Sequence, residues 1–469
     1  MPKAADHETA AGDRVPPREK LALGLGQAAA MGAHNALTTL ANPIYNVLMG
    51  MNPAYLSVIT FVQRFWDAFL DPFVGQFSDN LRTRWGRRRP LILAAAFPMA
   101  AGFASLWLFP RNAGGAGLVC YLLGTSLGFY FFHSFFFVPL TALQVEATAD
   151  YHERTRVASV VGVCTWGFSI GNQWMYTLLE SRFFGNPVTG LRWVTAAAAA
   201  IYALMAFAPA VMVRERGPLD AGGKKPKEPF LQAFRETMRN RDFVLLLGVR
   251  SVSQLGYSIV AVLGFYLNYY LVHAGDSHAA SAIQGWLGSA YVVGSVAAFW
   301  LFRVLALHFG KQRTLQISAG MLVLAGIVKL IVYQPGWRYL QIMVPAMNGV
   351  ALAGINLMTT AMLADIVSAD ELATRRRREG LYCSVLSWLD KVGSSTGALL
   401  SGFLLVAVGF DVKYGGAQPA LTLLHMKWIY AALPLCGAAV AVVLAHFYTL
   451  TEARAYEVKR ALELQRRQS

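Results

Sequence analysis

Twelve apolar runs, each long enough to cross a lipid bilayer, constrain this chain more than any other feature. They extend from Leu21 to Val47, Pro53 to Ser78, Leu91 to Phe109, Leu118 to Val145, Val157 to Leu179 and Val194 to Val213. Six more follow: Phe243 to Val272, Ala280 to Leu305, Leu315 to Tyr333, Leu340 to Ile366, Leu381 to Val408 and Leu424 to Tyr448. About 20 predominantly apolar residues span the hydrocarbon core as a helix. Composition agrees, because 55% of the 469 residues are hydrophobic and only 14% are charged, where a soluble protein carries about 25% charged residues. Mean hydropathy is +0.42. The expected fold class is an all-α membrane protein, with glycine and proline inside the spans allowing close packing and kinks.

A formal net charge of +15 invites a polyanion partner, but its placement reports topology instead. The connections after even-numbered spans are basic: Arg82 to Arg89, His152 to Arg156, Arg214 to Arg241, His308 to Arg313 and Arg375 to Arg378. Those after odd-numbered spans, such as N-A-G-G-A-G near Gly114 and H-A-G-D-S-H near Asp276, are poor in Lys and Arg. Positive loops stay inside, so both termini face the cytoplasm and no nucleic acid is implied. The basic, Pro- and Gly-rich connection between spans six and seven reads as a linker. The expected division is a cytoplasmic tail over residues 1–20, a six-helix bundle over 21–213, a cytoplasmic linker over 214–242, a second six-helix bundle over 243–448 and a cytoplasmic tail over 449–469. Phe230 to Arg239 reads as a short amphipathic helix on the inner surface.

A weak repeat supports two halves. Asp79 precedes Gly86 by the interval that separates Arg303 from Gly310, and Lys311 and Arg313 match Arg87 and Arg89. Parallel halves, each holding inverted three-span repeats, fit that pattern. Cys120, Cys164, Cys383 and Cys436 lie in apolar runs without CxxC spacing and are expected to be small core residues. The polar N-terminus M-P-K-A-A-D-H-E-T-A offers no apolar segment of a cleavable signal.

One stretch carries chemistry. Q-R-F-W-D-A-F-L-D-P-F-V-G-Q-F-S-D-N-L-R-T-R-W-G-R-R-R-P, from Gln63 to Pro90, sets Arg64, Asp67 and Asp71 at i, i+3 and i+7 inside the second span. On a helix they share one face. An ion pair between Arg64 and one aspartate is the plainer reading, yet one cation cannot neutralise two buried anions. A site for a mobile cation accounts for both carboxylates. No metal-ligand cluster, nucleophile motif or phosphate loop points to an enzyme.

R-F-W-D-A-F-L-D-P-F-V-G with T-R-W-G-R-R-R-P resembles the glycoside–pentoside–hexuronide:cation symporter family of the major facilitator superfamily. So do P-L-T-A-L-Q-V-E-A-T-A-D-Y-H-E-R-T-R after span four, G-F-Y-L-N-Y-Y-L-V-H-A-G-D at span seven, and M-L-A-D-I-V-S-A-D-E with D-K-V-G-S-S-T-G around spans ten and eleven. The resemblance covers nearly the whole chain and implies the major facilitator fold, twelve transmembrane helices in two pseudo-symmetric six-helix bundles, and cation-coupled symport. It gives Asp67 and Asp71 the coupling cation, H⁺ or Na⁺, with no other cofactor and no structural metal. Ser134 matches a hydroxyl that completes the site, and Lys391 matches a lysine that couples it to substrate. Leu70 stands where sodium-using members have Asn, which favours H⁺. Asp79, Arg87, Arg154 and Asp365 match an inner gate of ion pairs, together with Arg82, Arg84, Arg88 and Arg89. Arg375 to Arg378 read as solvated positive-inside charge.

The resemblance stops at the substrate. Positions that bind galactosides in the family fall on Ala30 and Met31, Phe137, Gly162 and Asn356, so galactoside recognition is not expected. The candidate substrate-binding residues are His34, Asn35, His133, Phe137, Trp166, Asn268, Asn356 and Trp388. Gln27, Asn172, Gln173 and Asn348 are further polar groups in the spans. His133 beside Ser134 also suits a proton relay, and the aromatic platforms suit a sugar face or an amphiphile. The expectation is import of a neutral sugar, glycoside or oligosaccharide by a monomer in a bacterial inner membrane. The alternatives are an amphiphile carrier, of a lysolipid, steroid or aromatic glycoside, and a non-transporting sensor.

Overall fold

The computed structural model describes residues 14–109, 115–148, 150–215, 234–235, 237–375 and 378–450, with 454, 457–458, 460–462 and 464 of the C-terminal tail. Most of the linker, Arg376 and Arg377, the loop near Gly114 and half of the expected helix over Phe230 to Arg239 lie outside the described residues.

Every regular element among the described residues is helical. Helix α1 (Pro17–Ala41) runs into a π-helical segment, Asn42–Leu48, followed by α2 (Pro53–Asn80), α3 (Arg89–Ser105), α4 (Gly115–Glu146), α5 (Tyr151–Gln173), a short α6 (Met175–Leu179) and α7 (Pro187–Met212). Then α8 (Arg241–Tyr266) runs into a second π-helical segment, Leu267–Val272, ahead of α9 (Ser277–Val332), α10 (Met343–Thr374), α11 (Glu379–Ala407) and α12 (Ala420–His446). Helix α9 holds spans eight and nine. Its one residue of non-helical φ/ψ is Gly310 (φ 77°, ψ 165°), which breaks it into two helices, one for each span, within the expected basic turn. Spans one, five and seven each use two segments. Counted so, the twelve spans are all present. Six helices, α4, α7, α8 with its π turn, α9, α10 and α12, are long and apolar enough to cross a membrane. The polar faces of α2 and α11 explain why they stay below that mark.

The chain divides into two compact units. One comprises Met1–Met51 with Val62–Lys224, the other Asn52–Phe61 with Lys225–Ser469. Inside the first unit, Gly86 (φ 99°) turns the chain from α2 to α3, and a Cβ there would strike the Glu215 carboxylate. Glu215 accepts from the backbone N–H of Arg87 at 3.0 Å and of Arg88 at 3.2 Å. Arg88 grips Glu146, at the end of α4, through two nitrogens at 2.8 and 2.6 Å and reaches Asp79 at 3.0 Å. Arg87 adds a bond to Glu146 at 3.0 Å. The second unit repeats the device: Gly310 is also left-handed, and Lys311 after it pairs with Asp365 towards the end of α10. The weak repeat of the sequence is therefore a repeated clip between the turn after a second span and the end of a fourth.

Helices approach closely where glycine allows. A Cβ on Gly349 of α10 would overlap the carbonyl oxygen of Tyr291 on α9, and one on Gly294 of α9 that of Ala346. Such small-residue contacts are how helices pack where lipid supplies no hydrophobic drive. The cysteines correct an expectation. Cys120, Cys383 and Cys436 are exposed and Cys164 half-buried, all as free thiols. An apolar run bordered by lipid has no need to turn its small apolar side chains inward.

Candidate functional site

Helix α2 is two-faced. Phe65, Phe69, Phe73 and Phe77 recur every fourth residue and are all exposed. At about 100° per residue they lie roughly opposite Arg64, Asp67 and Asp71, which are half-buried. Pro72 sits inside the helix. It has no N–H to give to the carbonyl of Ala68, four residues back, so a hard oxygen is released between the two aspartates.

Asp67 meets α4. The Ser134 hydroxyl donates to its Oδ1 at 3.2 Å, and His133 Nδ1 lies 3.6 Å from the same oxygen, the two side chains 5% and 17% exposed. His133 Nε2 is buried with no hydrogen-bond partner among the described residues. Its ring stacks on Phe137, centroids 5.5 Å apart and planes 12° apart, and lies 5.9 Å from the ring of His34 on α1. Tyr130, one turn earlier on α4, joins them: its hydroxyl is 3.2 Å from His34 Nδ1. Three helices thus bring a carboxylate, a hydroxyl, two imidazoles and a phenol into one half-buried cluster. Each of these groups can hold or pass a proton, and the oxygens can also ligate a cation.

Among the residues singled out from the sequence, Asp67, Ser134, His133, Phe137 and His34 converge. Asp71 lies one turn beyond Asp67 on α2. Asn35, beside His34, is half-buried and accepts the Thr38 hydroxyl at 2.8 Å through its carbonyl. Trp166 on α5 is partly exposed. In the second unit, Lys391 is exposed on α11, and Asn356 is exposed on α10, its carbonyl accepting from the Thr360 hydroxyl at 2.7 Å. Trp388 is exposed on α11 and turns an edge to Phe234, 6.3 Å between centroids.

Asn268 is a correction. It is fully buried in the second π turn, donating to Ala280 O at 3.1 Å and Gln284 at 3.3 Å and accepting from Gln341 at 2.9 Å. A polar residue in an apolar run is satisfied by neighbouring helices as readily as by a ligand, and the two amide hydrogens of this one are both engaged within the protein. Asn172 is likewise structural, tied to Gly32 O at 2.9 Å and to the Tyr202 hydroxyl at 2.9 Å. The four gate candidates fall in separate places. Asp79 and Arg87 belong to the Glu146 clip and Asp365 to the Lys311 clip, while Arg154 donates to Thr148 O at 2.9 Å.

Several residues escaped sequence reasoning: Tyr130 and Glu146 above, Arg250 on α8 and Lys329 on α9. Lys329 is fully buried, donating to Tyr430 O at 3.3 Å with its ammonium 4.2 Å from that ring. The available signal for the last two was a lone cation within an apolar run, V-R-S and V-K-L.

Comparison with known proteins follows the same lines. The isoprimeverose transporter of Lactiplantibacillus pentosus is 24% identical over 442 residues, covering 92% of this chain and 89% of that protein. The sodium-dependent lysophosphatidylcholine symporter 1 of Mus musculus is 23% identical over 454 residues, covering 89% of this chain and 83% of that protein. Among solved structures, a bacterial homologue of the human lysosomal transporter Spinster superposes with a TM-score of 0.64 at 17% identity over 95% of this chain and 98% of its own. Residues 22–452 match the family described as MFS/sugar transport protein. With nearly its whole length inside that match, the chain is a multi-pass membrane protein of the major facilitator fold and belongs to the MFS/sugar transport family, that of the glycoside–pentoside–hexuronide:cation symporters.

Proposed function

We propose that this chain is a secondary active transporter that couples H⁺, bound at Asp67 and Asp71, to import of a neutral sugar, glycoside or oligosaccharide across a bacterial inner membrane. Alternating access between two six-span halves, with Lys391 and Ser134 serving the cation site, is the working scheme. The observation that carries it is the setting of Asp67. A carboxylate inside a phenylalanine-faced helix has a hydroxyl at 3.2 Å and an imidazole at 3.6 Å, both partners suited to a proton. Leu70, 7% exposed beside Asp71, adds no oxygen, and a hard cation binds through oxygens. His34, Tyr130 and His133 supply a path along which a proton can reach the carboxylate.

Purified protein in proteoliposomes tests the coupling. Uptake driven by an imposed pH gradient, abolished in Asp67→Asn, is the expected result. Accumulation that requires a Na⁺ gradient and ignores pH would reverse the choice of ion, and unimpaired accumulation in Asp67→Asn with Asp71→Asn would remove the site itself.

A second reading, an amphiphile carrier, draws support from the aromatic run of α4, where the rings of Phe129, Tyr130, His133 and Phe137 touch in succession, edge-on or tilted up to the stacked His133–Phe137 pair, and from a relative named as a lysophosphatidylcholine symporter. Thermal stabilisation by a panel of sugars against lysolipids separates the two: a shift confined to lysolipids replaces the sugar reading.

A further inference from the structure

One ion pair deep in the second unit has no place in the scheme so far. Arg250 lies ten residues into α8, in the run L-L-L-G-V-R-S-V-S. Its Nε donates to Asp390 Oδ1 at 2.9 Å and its Nη2 to Oδ2 at 2.6 Å. This is a two-pronged clasp of a carboxylate on α11, the geometry that fixes orientation as well as distance. The third nitrogen, Nη1, reaches the hydroxyls of Thr359 at 3.3 Å and Thr360 at 3.5 Å on α10. One guanidinium therefore ties α8, α10 and α11 together at a single level, with side chains only 16% and 30% exposed for the pair.

Asp390 is the residue immediately before Lys391. Neighbours on an α-helix point about 100° apart, so clasping Asp390 towards α8 dictates where Lys391 points. It points outward, on an exposed strip shared with Ser387, Trp388 and Val392. On the opposite face, Tyr382, Val385 and Leu386 pack into the apolar core, with the Tyr382 ring against Phe243 of α8 at 4.9 Å. The clasp is the charged tie added to this apolar packing next to Lys391, where a Cβ on Gly393 would touch nothing within 4 Å.

We propose that Arg250 is a positioning residue that sets the direction of Lys391 through Asp390, and so the coupling of ion to substrate. This deepens the reading of Lys391 given above and rests on it. The clasp is specific to a forked cation: a lysine at 250 can meet one oxygen but cannot fix the carboxylate plane.

The first test reads orientation alone. In a background with the four cysteines replaced by serine, Lys391→Cys is labelled with a membrane-permeant maleimide. Adding Arg250→Met is expected to change the labelling rate several-fold, and the exchange Arg250→Asp with Asp390→Arg to bring it back. Should Arg250→Met fail to assemble, Arg250→Lys provides the same comparison with charge retained. An unchanged rate in a folded variant overturns the proposal.

The second test reads coupling. Asp390→Asn is expected to lower ion-driven accumulation about tenfold, with substrate exchange at equal ion concentrations preserved. The double variant Asp390→Asn, Lys391→Met should be no worse than Lys391→Met alone. Losses that multiply, or exchange that falls in step with accumulation, mean a merely structural pair and overturn the proposal. If labelling responds as expected while Lys391→Met accumulates normally, the clasp stands and the role given to Lys391 in coupling fails.

Discussion

At Asp67 a single hydroxyl makes a measurable difference. Ser134 donates to the carboxylate at 3.2 Å from a fully buried position, and a bond to a charged group contributes about 1.5–3 kcal/mol. With H⁺ as the coupling ion, Ser134→Ala removes a bond that favours the ionised carboxylate and should lower the proton concentration for half-maximal uptake by about tenfold or more, read as a shift of the uptake profile to higher pH with the maximal rate retained. Lys329 gives the opposite expectation. Its buried ammonium has one carbonyl and one ring face as company, an arrangement whose desolvation cost is poorly offset. Lys329→Met should leave the melting temperature unchanged or raise it, and a drop of several degrees would show that the ammonium holds the bundle together. The contrast shows what was legible at this scale. Asp67 and Ser134 were found through a motif because both stand in local sequence patterns. Tyr130 and Arg250 were not, because what makes them notable is a partner on another helix, 96 and 140 residues away. The three partners of Asn268 were hidden for the same reason, none of them lying in its own run.

Elements were read more fully than their joints. Apolar length fixed the spans, but how short the joint between spans eight and nine is was hidden: Lys, Gln and Arg are good helix formers, and within His308 to Arg313 only Gly310 departs from helical geometry to separate the two helices. Joints also store stability. In the first turn of α5, ahead of the apolar run, Glu153 is 1% exposed and bonds Lys20 at 2.6 Å, Arg156 at 3.3 Å and the backbone N–H of Val15 at 3.0 Å. Burial pushes its carboxyl up, yet the bonds from Lys20 and Val15 prevail and hold it below the usual carboxylate range. A depressed value means the fold binds fewer protons than the unfolded chain, so this stability is complete above the ordinary pKa and is lost as pH falls through the lowered one. Glu153→Gln should cost about 3–5 kcal/mol near neutrality, and its melting temperature should converge with that of the parent as pH falls below the ordinary carboxylate range. On α10, Gly349→Ala pushes a methyl group against the Tyr291 backbone. A cost of about 1–3 kcal/mol is expected as a lower melting temperature.

For the whole molecule, charge placement makes a prediction that needs no substrate. His278, at the start of α9, and Arg239, just before α8, are both exposed. By the positive-inside pattern they lie on opposite sides of the membrane. In intact cells a membrane-impermeant thiol reagent should label His278→Cys and spare Arg239→Cys, and the reverse result would invert the topology.

Each unit also opens with a helix that widens at its far end, Asn42–Leu48 after α1 and Leu267–Val272 after α8. A π turn carries an extra residue relative to an α turn. Deleting one residue there restores the tighter pitch and leaves the downstream side chains close to their original bearing, while the same loss within an α turn swings them by about 100°. A single-codon loss at either place should thus be borne better than one in the α-helical part of the same span.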